Sequence, residues 1–433
     1  MPEQPRASTW LRRQWRELLA AARHLLQWPR GLYTAALVLA VVGLAALLGV
    51  AAGLAPVNAS AGHWPVTRVL LHWAMTRATR VRALSVTAPD GNGAADRLTP
   101  PDAQARQAAG HYATGCLACH GGPGHPRSRI VLHMTPEPPW LPDTLDKWDA
   151  RELFHIVRHG VKYTAMPAWP GERRDDEIWA MVEFLQRMPG MSPQEFAVLT
   201  GTVERDVQPQ PMGELAAPAA VPGPAASAAA RAGAAGPGDS PGERADAAGP
   251  APDILAGCAR CHGVDGRGDP NGAFPRLDGQ SEAYLLASLQ AFAGGDRHSG
   301  IMEPAVRGLD GHDLRALARH FARQPAGPPA ASPAATPDAL ARGRELAHTG
   351  DPRRRIPACI ECHGPAGDHR NPRYPRIAGQ YPGYLARQLE LFQSHSRGGS
   401  GYQHLMHLAA HSLDPADIHD LSLYYASLDP DPP

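Results

Sequence analysis

Three copies of one five-residue pattern constrain this chain more than any other feature. Cys116-Leu117-Ala118-Cys119-His120, Cys258-Ala259-Arg260-Cys261-His262 and Cys359-Ile360-Glu361-Cys362-His363 use all six cysteines of the 433-residue sequence. Each is a C-x-x-C-H, the attachment signature for c-type haem. Two thiols at this spacing reach the two vinyl groups on one porphyrin edge and add across them as thioethers. The adjoining imidazole then meets the iron as proximal ligand. A redox dithiol or half a zinc site needs only C-x-x-C. Three copies, each followed by His and then Gly (Gly121, Gly263, Gly364), argue against both. A disulfide framework is disfavoured as well, since no cysteine pair occurs without its His. The pattern therefore predicts three covalently bound haem c groups, on Cys116 and Cys119, Cys258 and Cys261, and Cys359 and Cys362. His120, His262 and His363 are the expected proximal ligands.

A haem that only carries electrons needs its sixth position filled, and Met thioether is the usual partner to His. Met302 is the sole methionine in its stretch and Met406 the sole one in the last stretch. In the first stretch Met166, in Met166-Pro167-Ala168-Trp169 after Gly160, is preferred over Met134. Met181 and Met188 lie on or at the end of a helix and read as core or surface. The separation from proximal His to Met166, Met302 and Met406 is 46, 40 and 43 residues. His404, His407 and His411 compete with Met406 for the third iron. His125, His155, His159, His298 and His312 read as surface or core residues.

The amino terminus sets the compartment. Residues 1–31 carry six arginines against Glu3 and Glu17, and residues 32–55 then run 24 positions without a charge. At ~1.5 Å per residue that is about 36 Å, against a hydrocarbon core of about 30 Å. Basic residues before the span keep the amino end cytoplasmic and place the rest outside, where haem attachment occurs. A cleaved signal peptide is the rival, with Ala59-Ser60-Ala61 as its site, but both the apolar and the preceding basic stretch are long for one. Residues 56–100 are a juxtamembrane segment. Within it Trp64 to Arg82 reads equally as a basic amphipathic helix in the headgroup layer or as a helix packed on the first haem region.

The motifs divide the rest. Residues 101–201 form the first haem region. Residues 202–252, rich in Ala, Pro and Gly, read as a linker reaching on the order of 40 Å as a flexible coil. Residues 253–323 form the second region, 324–336 a shorter linker, and 337–429 the third region. The first region is expected to move on its linker while the other two form a rigid pair. Phe274-Pro275-Arg276-Leu277-Asp278-Gly279-Gln280 answers Tyr374-Pro375-Arg376-Ile377-Ala378-Gly379-Gln380, and Tyr284-Leu285 answers Tyr384-Leu385, so these two regions are an internal repeat. Helix caps are expected at Thr336, Asp414, Asp310 and Asp175. The formal net charge is zero, so nothing points to nucleic acid.

On these residues the sequence resembles the class I cytochrome c family in all three regions. Residues 253–429 resemble the two-domain dihaem periplasmic cytochromes, through the Pro-Arg-hydrophobic-x-Gly-Gln stretch, the Tyr-Leu helix and Ile356-Pro357-Ala358-Cys359. The first region resembles monohaem domains ending in a Gly-Met-Pro-Ala-Trp loop, with Ala165 where Gly is common. In the third region His407 follows Met406 where small residues or proline are commoner. The resemblance implies an all-α protein of three tandem class I cytochrome c domains, which follow the one amino-terminal transmembrane helix expected from the charge-free run. It further implies a periplasmic electron carrier; with the amino-terminal span, the expectation is a single-pass protein of the bacterial inner membrane, its haem domains in the periplasm, transferring electrons in a respiratory chain and not itself an enzyme. Expected partners are the membrane and redox proteins: a dehydrogenase, a quinol-oxidising complex, a soluble cytochrome or a terminal oxidase. Alternatives are a cytochrome subunit of a dehydrogenase or haem–copper oxidase complex, or a haem peroxidase, which would need a haem lacking a fixed sixth ligand.

Overall fold

The chain folds into helices whose ends are set by local side chains. The computed structural model describes residues 30–54, 64–91, 93–202, 249–330, 332, 334–364 and 371–430. The basic residues before Arg30, the Ala-Ser-Ala site and nearly all of the long linker lie outside the described residues. Among those described there are no strands, only two isolated bridges, Gly122 with His125 and Asp351 with Ile356.

Among the described residues the amino-terminal unit holds one helix, α1 (Arg30–Ala51). Its Gly31–Ala51 stretch is long and apolar enough to cross a bilayer, and none of that surface is buried by the protein. The helix stops short of residue 55 because Gly53 takes φ +74°, and Leu54 N–H turns back to Gly49 C=O at 2.9 Å.

Residues Pro65–Pro433 form a second, separate unit. It begins with α2 (Pro65–Ala83), then the short α3 (Ala94–Leu98). Around the first motif come α4 (Pro101–Gly115), α5 (Leu117–His120), α6 (Ala150–His159), α7 (Asp175–Arg187) and α8 (Pro193–Thr200). Around the second are α9 (Pro252–His262), α10 (Glu282–Gly294), α11 (Met302–Val306) and α12 (Gly311–Ala322). Around the third are α13 (Pro337–Thr349), α14 (Ile360–His363), α15 (Pro382–Gln393), α16 (Gln403–Ala410) and α17 (Pro415–Ser427).

Asp310 and Asp414 close capping boxes with Asp313 and Asp417, and the Thr336 hydroxyl accepts from Ala339 N–H. These satisfy backbone N–H groups that a helix start leaves without partners. Asp175 departs from expectation. It is the first helical residue of α7 rather than its cap, and its carboxylate pairs with Arg158 at 2.6 Å. With Asp176 and Glu177 it still places negative charge at the positive end of the helix.

Each motif has its own apolar cluster. Tyr112, Phe184, Phe196, Met181 and Met188 fill the first, which agrees with Met181 and Met188 being core. Leu285, Leu317 and Phe321 anchor the second, and Leu385, Ile418, Leu421 and Tyr425 the third. The carboxy-terminal part of α2 packs on α6: Thr79 and Ala83 are buried, and Arg80 pairs with Glu152 at 3.5 Å. Its Val66, Val69, Leu70 and Trp73, at helical spacing, are exposed. The reading as a packed helix therefore holds for the carboxy-terminal end, while the amino-terminal end leaves its apolar side chains uncovered. The last part of the juxtamembrane segment behaves differently. Ala94, Ala95 and Leu98 join the third cluster, and Ala95 N–H donates to Glu390 Oε1 at 3.0 Å.

The expected independence of the first region is not found. Ala103 packs with Ala273 and Phe274, Arg106 pairs with Asp269 at 2.7 Å, and Arg260 donates to Gly110 C=O at 3.1 Å. Glu177 of α7 is buried against Ser299 and Gly300. Alanines let the backbones approach, and paired charges at the seam hold them; neither signal is periodic in the sequence. Residues 324–330 are likewise not a free connector, since Gly327 N–H donates to Asp278 Oδ2 at 2.7 Å.

The repeat becomes a two-fold-like exchange. Arg276 N–H donates to Gln380 Oε1 at 3.0 Å, and Arg376 N–H to Gln280 Oε1 at 3.0 Å. Gln380 Nε2 donates back to Arg276 C=O at 3.0 Å, and Gln280 Nε2 to Arg376 C=O. Arg276 Nη1 reaches Gly379 C=O at 3.1 Å and Arg376 Nη1 reaches Gly279 C=O at 2.9 Å. Each Pro-Arg-x-x-Gly-Gln stretch thus satisfies the other's buried backbone.

Candidate haem sites

None of the six cysteines is paired in a disulfide. Burial pushes the Cys116 thiol up to about 12, with Cys119 beside it adding to the rise, and Cys359 up to about 11. Burial raises Cys258 and Cys261 too. A dithiol redox site works through a thiol lowered towards neutrality, and the Cys258 and Cys261 pair, both raised, runs against that chemistry.

The three proximal histidines share one partner type. His120 Nδ1 lies 3.1 Å from Pro139 O, His262 Nδ1 3.0 Å from Pro275 O, and His363 Nδ1 3.0 Å from Pro375 O. A carbonyl only accepts, so Nδ1 carries the proton and Nε2 keeps its lone pair for a metal. Burial lowers the pKa of His120 and His262, which favours the neutral ligand form. Pro275 and Pro375 are visible in the repeat, but their role is not; Pro139 carries no sequence signal at all.

The turn after the first motif depends on glycine. Gly121 has φ +63°, and a Cβ there would lie 2.1 Å from the Trp140 ring. The Gly121 carbonyl accepts from Tyr112 Oη at 2.6 Å, which ties the motif to the core of α4.

One continuous cavity of about 2280 Å³ joins the second and third motifs. Cys258, Cys261, His262 and Met302 line one part, and Cys359, Cys362, His363 and Met406 the other. Met302 opens α11 and Met406 sits within α16, both half-buried. The competing histidines are not among the lining residues. His404 and His411 are exposed, and His407 Nε2 is 2.9 Å from Arg397 O, its ring 4.4 Å from that of His395. In the first region Met166 is half-buried in the loop after α6, which Val161 N–H closes onto Met166 C=O at 3.2 Å. Met134 is half-buried as well.

Two buried cations face this cavity. Arg297 stacks on Phe292 at 4.4 Å and donates to Tyr384 Oη at 3.3 Å; Arg397 stacks on Phe392 at 5.1 Å and donates to Tyr284 Oη at 3.4 Å. Burial, with Arg297 nearby, pulls Arg397 down to about 10. Paired thiols, an oriented imidazole, a thioether, apolar walls and buried guanidiniums for carboxylates suit haem.

These features define a c-type haem protein, and comparison with known proteins agrees. Residues 103–185 match the family described as cytochrome C oxidase, cbb3-type, subunit III, and residues 251–322 match cytochrome c. The thiosulfate dehydrogenase electron acceptor of Thiomonas intermedia (strain K12) is 35% identical over 177 residues, 41% of this chain and 81% of that protein. Cytochrome c-552 of Acidithiobacillus ferridurans is 34% identical over 179 residues, 40% of this chain and 75% of that one. Cytochrome c4 of Pseudomonas aeruginosa is 32% identical over 174 residues, 40% of this chain and 83% of that one. The chain belongs to the cytochrome c family, with cytochrome c4-type dihaem proteins among its relatives. It is a multihaem c-type cytochrome involved in electron transfer.

Proposed function

We propose that this is a membrane-anchored triheme cytochrome, three tandem class I domains on one amino-terminal span, moving electrons on the periplasmic side of the inner membrane. The observation that carries the haem count is the shared arrangement of the three motifs: each proximal His turns its Nδ1 to a proline carbonyl. The cysteine pairs hold the group covalently, His120, His262 and His363 offer Nε2, and Met166, Met302 and Met406 offer thioether sulfur. When bound, each haem supplies a one-electron ferric–ferrous couple. The protein's own part is to keep the ligands fixed between oxidation states, exclude water, and set potential by burial and hydrogen bonds. No side chain is required as acid, base or nucleophile.

Purified protein is expected to carry three haems per chain. Pyridine haemochrome assay and intact mass both read this, and two or fewer, or haem released by acid acetone, would overturn it.

Anchoring rests on α1, and the exposed Val66, Val69, Leu70 and Trp73 of α2 suit the bilayer surface. The protein should stay with the membrane through a carbonate wash. Release into the supernatant, with amino-terminal sequence starting near Gly62, would replace the anchor by a cleaved signal.

The donor is proposed to be a periplasmic dehydrogenase. One relative is by name the electron acceptor of a thiosulfate dehydrogenase, which favours that class of donor over a quinol-oxidising complex. The acceptor is a soluble cytochrome or a terminal oxidase. Co-purification from solubilised membranes distinguishes a permanent subunit of such a complex from a mobile carrier.

A further inference from the structure

The first region meets the second at the loop that leads into Met302. Glu177 is buried there and accepts from Ser299 Oγ at 2.7 Å, from Gly300 N–H at 2.7 Å and from Trp169 Nε1 at 3.3 Å. Arg174 pairs with it at 2.8 Å and also donates to His298 C=O at 3.0 Å. Ser299 spends its proton on Glu177, and its oxygen then accepts from Ile301 N–H at 3.2 Å and Met302 N–H at 3.1 Å. The link is continuous: carboxylate, hydroxyl, then the backbone of the methionine.

The steric fit is as close. A Cβ on Gly300 would fall 2.1 Å from Trp169 Nε1, and one on Gly171 would fall 2.4 Å from Gly300 N. Trp169 ends the Met166-Pro167-Ala168-Trp169 loop, so the two methionine-bearing loops pack directly on one another. Burying a carboxylate costs several kcal/mol unless it is fully partnered. Here the partners come from both regions.

We propose that Glu177 and Trp169 of the first region are positioning residues for Met302 of the second, so that docking of the first region sets the second haem's reduction potential. This rests on Met302 being an axial ligand. Two effects act together. The clamp fixes the backbone that presents the sulfur, and Glu177 offsets the charge of Arg174 beside the ligand loop, so that its removal leaves a cation there that favours the reduced iron.

The test uses the full-length, haem-loaded protein. Potentiometric titration resolved by haem, and hydrogen–deuterium exchange over residues 298–303, are measured for wild type, Glu177→Gln, Ser299→Ala and Gly300→Ala. Glu177→Gln should raise the potential of the second haem while the first and third stay in place. All three variants should exchange the Ile301 and Met302 amides about tenfold faster, the scale of losing one buried hydrogen bond. Unchanged exchange and unchanged potential overturn the proposal. A shift common to all three haems also overturns it, because that marks general destabilisation. Met302→Ala is read separately. If the second haem keeps its methionine–iron charge-transfer band in that variant, the ligand assignment falls, while the exchange data still decide the clamp.

Discussion

Replacing Met302 by alanine should turn the second haem high-spin, with loss of its methionine–iron charge-transfer band and no change at the other two. The effect should be large because the groups packed directly on Met302 are apolar. Met302 packs beside Phe292, Val306 and Leu314, and His298, which lines the same cavity, is paired with Glu303 at 3.5 Å. Met302→His should keep the haem low-spin but lower its potential, since imidazole donates more strongly to ferric iron than thioether does. The same substitution series separates the candidates for the third iron. Met406→Ala should open that site, whereas His404→Ala and His407→Ala should leave it low-spin. His407 is committed to Arg397 O and His404 is exposed, while Met406 lines the cavity. If instead Met406→Ala is silent and a histidine variant turns high-spin, the third haem is bis-histidine and lies at a lower potential. The readout in each case is the electronic absorption and electron paramagnetic resonance spectrum of the oxidised protein.

Arg276→Ala should destabilise the paired second and third regions by about 3–5 kcal/mol, the cost of stripping one partner from a buried ion pair. Arg276 grips Asp278 with Nε at 2.9 Å and Nη2 at 2.6 Å, and the Asp278 side chain has no exposed surface. The same guanidinium reaches Gly379 C=O and Pro328 C=O, so it joins both regions and the connector between them. A loss of that size corresponds to a drop of ~10 °C in thermal midpoint for a unit this large. Arg276→Lys should recover little, because a point charge cannot make the two-pronged contact. Arg276→Met with Asp278→Leu should recover much of the loss, since no charge is then left buried alone. Differential scanning calorimetry of the holoprotein reads all three variants. Equal midpoints for Arg276→Ala and wild type would remove the guanidinium from the account of how the halves hold together.

Caps and motifs were legible because their physics is local. Asp310, Asp414 and Thr336 each bond to N–H groups two or three residues on, so a short window of sequence contains the whole interaction. Asp175 shows the limit. Its sequence context is that of a cap, yet Arg158, on the preceding helix, takes its carboxylate. The repeat announced that residues 274–280 and 374–380 do the same job. That each serves the other was not visible, because reciprocal Gln-to-backbone bonds span about a hundred residues (positions 276 and 380, 280 and 376).

The sequence by itself determined the chemistry: two thiols and an imidazole within five residues assemble with no help from the rest of the chain, so c-type haem attachment follows from the motif. It also determined the all-helical plan, through apolar periodicity and cap residues. Only the tertiary structure decided which carbonyl orients each histidine, with Pro139, Pro275 and Pro375 lying 19, 13 and 12 residues away. It alone decided that His407 turns to Arg397, and that the first region is docked through Glu177 on a loop 122 residues distant. Such contacts depend on buried charge meeting its partner across a seam, and a linear pattern records neither the seam nor the partner.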